Sequence, residues 1–113
     1  MKQQELIDLL ESWGFREVAH MLFELNDKIA KYRVVITTNH VDFTVYVSYL
    51  GKEFNAFNRV AIETLNMELP EFVIYILKGL LIVAMGRLLN DYAQNSFLKE
   101  SVFHRLDNLL SSL

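Results

Sequence analysis

Residues 72–89 constrain the fold more than any other part of the chain. Nearly all of their side chains are large and apolar, and only Lys78, Gly79, Gly86 and Arg87 interrupt the run. This length suits a membrane span, but an unpaired lysine near the bilayer centre costs roughly 2.5–3.5 kcal/mol. We therefore predict a buried helix of a soluble protein with no membrane partner.

Helical spacing supports this prediction. Pro70 suits a first helical turn, and Asn90 and Asp91 return the pattern to solvent, so the helix is predicted over 70 to about 93. Its apolar stripe comprises Ile74, Leu77, Leu81, Met85, Leu88 and Tyr92. The alternative is a β-hairpin with strands at 72–76 and 80–84, which the β-branched residues favour.

Two glycines mark a second side of this helix. Gly79 and Gly86 lie roughly opposite the stripe, beside Tyr75, Ile82 and Val83, and glycine lets another backbone approach closely. The partner there is either another part of the chain or a second subunit. Because 52% of the residues are hydrophobic, we predict that the surplus is buried in a homodimer.

Composition bounds the class of protein. A length of 113 residues suits one domain spanning 1–113, and no cysteine is present. The amino terminus lacks the pattern of a signal peptide, so a cytoplasmic location is predicted. The formal net charge of −3 disfavours nonspecific nucleic-acid binding, although residues 28–59 carry more basic than acidic side chains.

The first third of the chain reads as two helices. One apolar face combines Leu6, Leu9, Leu10 and Trp13, and Gly14 is a typical helix stop. Beyond it, apolar residues at helical spacing predict a second helix and hence a helical hairpin: Val18, Leu22, Leu25 and Ile29.

The pattern then changes to alternation, which is typical of strands. Residues 32–38 and 43–49 each alternate, with 39–41 as their connection. Gly51 and Lys52 form the next turn, and a third strand begins near Glu53. Residues 59–65 fit either an extension of that strand or a short helix. An antiparallel three-stranded meander is predicted.

A last amphipathic helix begins at Asn95 or Ser96, with an apolar stripe of Leu98, Val102, Leu106, Leu109 and Leu113. The fold class is therefore α+β, with a helical hairpin, a meander, a long buried helix and this last helix packed on one face of the sheet.

The sequence offers little support for a catalytic site or a metal site. Two triplets have helical metal-ligand spacing, but both lie opposite their apolar stripes: Glu17, His20 and Glu24, and Glu100, His104 and Asp107. No glycine-rich phosphate loop or nucleophile motif is present. We predict a non-enzymatic protein with no catalytic residue, no metal and no cofactor.

The sheet face turned away from the helices is the predicted binding site. Its residues are polar and aromatic: Arg33, Thr44, Tyr46, Ser48 and Phe57, with Thr37 beside them and Lys52 nearby. Tyrosine and arginine are favoured anchors in protein interfaces. A small regulatory or inhibitory protein that binds another protein is therefore predicted. The alternative is a single-stranded RNA-binding module in which the aromatic rings stack on bases.

Overall fold

A five-stranded antiparallel sheet and two helices make up the computed structural model, which describes residues 2–28, 30–65, 68–91 and Ser111. Each strand pairs with the next in sequence, in the order β1-β2-β3-β4-β5. The predicted α+β class is confirmed. In chain order the elements are α1 (Lys2–Ser12), β1 (Arg16–Ala19), β2 (Leu22–Asn26), β3 (Ala30–Ile36), β4 (His40–Tyr49), β5 (Lys52–Ala61), a 3-10 helix (Ile62–Thr64) and α2 (Leu69–Asp91).

The predicted second helix is wrong, because its residues form the β1–β2 hairpin. Val18, which defined the helical stripe, is 57% exposed, whereas Phe23 is fully buried opposite Val34 of β3. A helix with that stripe leaves Phe23 off its buried face. Burying a phenylalanine contributes about 1.5–3 kcal/mol, which outweighs the weak local preference for helix. Met21 turns the chain with a left-handed φ of 57°.

The three predicted strands correspond to β3, β4 and β5, although β3 ends at Ile36 and not at 38, and the sheet has five strands where three were predicted. His40 and Val41, assigned to a connection, belong to β4. The turn before β5 has positive φ at both Leu50 and Gly51. The stretch 59–65 contains both predicted structures, since β5 runs to Ala61 and the 3-10 helix follows.

Helix α2 has almost the predicted extent, and the β-hairpin alternative is wrong. It packs on β4 and β5 to similar extents. Ile74 is half-buried and Tyr92 lies outside the described residues, whereas Leu77, Leu81, Met85 and Leu88 of the predicted stripe are buried. The full buried face is Leu69, Val73, Ile76, Leu77, Leu80, Leu81, Ala84, Met85 and Leu88.

The hydropathy of α2 also meets the requirements of a membrane span. An 18-residue window has mean hydropathy 2.0, and 44% of that window is buried inside the fold. Burial of one whole face against a sheet is typical of a core helix. The absence of a membrane partner stays a prediction.

One apolar cluster joins both helices to a single face of the sheet. Leu6 and Leu10 of α1 are fully buried in it, together with Val34, Phe43 and Val45 of the central strands. Gln3 donates a hydrogen bond of 2.8 Å to the carbonyl of Thr37, which ties α1 to the end of β3. The predicted last helix, including Ser96, lies outside the described residues apart from the helical Ser111.

Candidate binding face of the sheet

Strand register gathers the predicted binding residues on the sheet face opposite the core, here called the outer face. One cross-strand row places Glu24, Arg33, Thr44 and Phe57 side by side on β2 to β5. The neighbouring row places Tyr46 between Lys31 and Asn55. Side chains in adjacent rows on one face lie within reach of aromatic and long residues. Their role in binding a partner stays a prediction.

Tyr46 is held in place by two cations. The Arg33 guanidinium lies 5.2 Å from the centre of its ring and donates a hydrogen bond of 3.3 Å to its hydroxyl. The Lys31 ammonium lies 5.6 Å from the same ring centre. Arg33 is itself anchored, since its Nη2 lies 2.6 Å from the Glu24 carboxylate. The ring of Tyr46 is therefore fixed before any partner arrives.

Phe57 is the large apolar side chain of the outer face, and it is 55% exposed. Arg59 lies 5.9 Å from the centre of its ring. Two hydrogen bonds, of 2.7 and 3.1 Å, hold that guanidinium on Asp42. The hydrogen bond and the negative charge of Asp42 raise the pKa of Arg59 above its usual value, so Arg59 remains a cation.

Charges on the outer face of β2 to β5 are balanced. Lys31, Arg33 and Arg59 face an equal number of carboxylates, those of Glu24, Asp42 and Glu53, and the β1 edge adds Arg16 beside Glu24. The basic bias of residues 28–59 thus does not produce a positive surface. Sequence reasoning missed Glu24 because it assigned that residue to a helix. The alternation of β3 contained the signal for Lys31, two positions before Arg33.

Lys52 and Ser48 lie at the margin of this site. Lys52 points to the helix side of the sheet, where its ammonium lies 2.7 Å from the Asp91 carboxylate of α2. Its predicted position beside the outer-face aromatics is therefore wrong. Ser48 stays on the outer face near its end and donates a hydrogen bond of 3.4 Å to Glu53.

Gly79 and Gly86 lie on the exposed side of α2. A Cβ added at either glycine meets no atom within 4 Å in the described part of the chain. Tyr75, Ile82 and Val83 beside them are 76%, 51% and 47% exposed. The described elements therefore leave this side uncovered, and the homodimer stays a prediction.

Metal ligands do not converge in the described ranges, where no group of three histidine or acidic side chains has a suitable arrangement. Glu17, His20 and Glu24 lie on a hairpin and not on one helical face. The Glu17 carboxylate accepts a hydrogen bond of 2.8 Å from the Met21 N–H. The triplet containing His104 lies outside the described residues.

No family model matches the chain, and no curated protein or solved structure is similar to it at a significant level. Function is therefore inferred from the chemistry of the outer face.

Proposed function

We propose that the protein is a small non-enzymatic regulator or inhibitor that binds another protein through its outer face. The observation that carries this proposal is the pair of Tyr46, fixed between Lys31 and Arg33, and the exposed Phe57 two positions along on the neighbouring strand. Thr44 and Ser48 supply a polar rim around this pair.

Fixed aromatic anchors favour protein binding for two reasons. A partner that covers Phe57 removes a large apolar side chain from water, which contributes about 1.5–3 kcal/mol when burial is complete. Tyr46 and Arg33 are already held by their neighbours, so little side-chain entropy is lost when they bind. Both residue types are enriched among the side chains that dominate interface energies.

Single-stranded RNA is the alternative ligand, since Tyr46 and Phe57 present ring faces on which bases stack. Phosphate binding needs available cations, however, and Arg33 and Arg59, the arginines beside the two rings, are each paired with a carboxylate. An RNA backbone must compete with Glu24 and Asp42 for them. This intramolecular pairing favours a protein partner.

The test is a pull-down from native lysate with the tagged 113-residue chain, with nuclease and with washes at low and high salt. Phe57→Ser removes the exposed anchor, and Tyr75→Ser is a matched control because Tyr75 is an exposed aromatic residue on α2. We expect one retained protein that survives high salt and nuclease, is lost with Phe57→Ser and persists with Tyr75→Ser. A retained protein that both variants bind equally contradicts the proposed site.

RNA binding is measured separately with a fluorescent mixed-sequence single-stranded oligonucleotide. Binding that weakens steeply with salt and disappears with Arg33→Glu supports the alternative, because phosphate contacts release counterions. The proposed function predicts no salt-sensitive binding of this probe and no effect of that substitution on it.

A further inference from the structure

Strand β5 forms one edge of the sheet. It is regular over ten residues and pairs with β4 alone in the described part of the chain. The Arg87 guanidinium donates a hydrogen bond to the carbonyl of Asn55, which shows that this carbonyl points away from β4. Backbone direction alternates along a strand. Glu53, Phe57 and Arg59 therefore also present their N–H and C=O groups outward, as a template for another strand.

The charges along this edge are complementary to themselves. Glu53 and Arg59 lie three positions before and three positions after Ala56, and both side chains point to the outer face. An antiparallel pair with its two-fold axis at Ala56 sets Glu53 against Arg59 of a second copy, twice, so that Arg59 keeps Asp42 on its own sheet and gains a second carboxylate beside it. The same register sets Asn55 against Phe57, so that outward backbone groups meet outward backbone groups.

We infer that two copies of this chain pair antiparallel through β5, with the axis at Ala56, to form one continuous sheet. This interface goes beyond the proposed partner-binding function and does not rest on it. In forming it, Asn55 exchanges the Arg87 side chain for the backbone N–H of Phe57 from the second copy. Both Asn55 carbonyls keep a hydrogen bond, each Arg87 guanidinium gives up this acceptor, and one new strand pair forms.

The exposed side of α2 fits this arrangement. The helix packs on β4 and β5 to similar extents, so its axis lies about 5 Å from the two-fold axis when strands are about 4.8 Å apart. Two such helices are then about 10 Å apart, which is the spacing of packed helices. Pairing through β5 therefore brings one α2 against the other.

Val83 and Gly79 lie on the side of α2 where these helices meet. Helix α2 runs antiparallel to β5, since Asp91 lies at Lys52 and Arg87 at Asn55. The helix turn beside Ala56 therefore lies just before Arg87 and contains Val83 and Gly86. Gly79 and Val83 line one groove with Asn58 of β5, so this side of the helix borders the β5 edge, where Gly79 permits close approach and Val83 loses its exposure. Three observations thus support pairing with a second copy: the unpaired edge of β5, the opposite charges of Glu53 and Arg59, and the exposed apolar side of α2.

Paired cysteine variants test the register in the full chain, which has no cysteine of its own. A mixture of Glu53→Cys and Arg59→Cys is expected to form a covalent dimer under mild oxidation, because directly opposed residues lie within disulfide reach. Each variant alone is expected to stay uncrosslinked, since its two copies of the cysteine lie roughly 20 Å apart. Crosslinking of Glu53→Cys alone, or none in the mixture, overturns the register.

Sedimentation supplies the second measurement. We expect a dimer that Glu53→Arg weakens by about tenfold in Kd and that Glu53→Gln weakens less, because glutamine removes the attraction to Arg59 without adding repulsion. Arg16→Glu at the opposite edge is the matched control and is expected to have no effect. A monomer at all concentrations overturns the proposal. If Ile82→Cys then resists a thiol reagent, the chain's own last residues cover α2. Neither measurement depends on the pull-down with Phe57→Ser, so the dimer and the proposed partner-binding site can be contradicted separately.

Discussion

The two edges of the sheet differ in length, regularity and charge. β1 has four exposed residues, an irregularity between Glu17 and Ala19, and a glutamate side chain bound to its own turn. β5 has ten residues in unbroken register with β4. Short, bulged and charged edges resist pairing with further strands. The comparison teaches that only one edge of this sheet is built to accept a strand.

The largest expected effect comes from proline substitutions in β5, where one residue directs its N–H at β4 and the next directs it away from the sheet. Ala56→Pro removes an N–H directed at β4 and leaves the facing carbonyl without a donor, so we expect a loss of about 3 kcal/mol or more. Asn55→Pro removes an outward N–H and is expected to cost far less stability while abolishing the dimer. Urea unfolding and sedimentation measure these effects. Equal stability losses contradict the assigned backbone directions.

Strand β3 at the centre of the sheet can be compared with both edges through its buried residue Tyr32. Burial, with a smaller effect from the charge of Asp27, raises the pKa of Tyr32 to about 12 from 10.0. Its hydroxyl has no hydrogen-bond partner among the described residues. The unfolded chain loses this proton above pH 10 while the folded chain keeps it, so stability falls between pH 10 and 12.

That fall amounts to about 2–3 kcal/mol, because each pKa unit is worth about 1.4 kcal/mol. Tyr32→Phe is expected to remove it and to raise stability by about 1 kcal/mol at pH 7, since no buried hydroxyl is left unpaired. Urea unfolding from pH 7 to 11 in both proteins is the measurement, and about half of the fall, roughly 1.4 kcal/mol, is expected at pH 11. An identical alkaline loss in the variant assigns the effect to other groups.

A smaller effect is expected at the β1 edge. Glu17→Ala removes the acceptor of the Met21 N–H, and we expect a loss of about 1 kcal/mol. Glu17→Gln keeps an acceptor oxygen and is the matched control. Hydrogen exchange is expected to accelerate in β1 and β2 but not in β5. Acceleration in β5 implies that the two edges unfold as one unit.

The smallest effect concerns the turns that lead to each edge. Leu50 is 60% exposed and has a φ of 52°, followed by Gly51 at 78°. Because asparagine tolerates this conformation, Leu50→Asn is expected to stabilise the protein by about 0.5–1 kcal/mol. Met21 has a similar φ but packs against the core, so Met21→Asn is expected to gain nothing. Thermal unfolding of both variants checks this difference.

The sequence allowed prediction wherever structure follows from local periodicity. Helix α2 and strands β3 to β5 have strong periods, and their alternation also placed Arg33, Thr44, Tyr46 and Phe57 on one face. The β1–β2 hairpin depends on the pairing of Phe23 with Val34, which is a tertiary contact that no local pattern contains. Glu24 was missed for that reason. Lys52 was wrongly placed beside the outer-face aromatics. It lies an odd number of positions from Phe57 on the same strand, and such a spacing puts two side chains on opposite faces of the sheet.

The pairing of every strand with its sequence neighbour determines how the chain acquires its structure during synthesis. Tight turns close the β1–β2 and β4–β5 hairpins at little entropic cost, so the sheet forms from local contacts. Helix α1 covers part of the sheet's apolar face, and the rest stays exposed until α2 delivers nine buried side chains. At translation rates of 5–20 residues per second, α2 follows β5 by roughly 2–6 s. Nascent chains that end between β5 and the end of α2 are therefore expected to recruit chaperones.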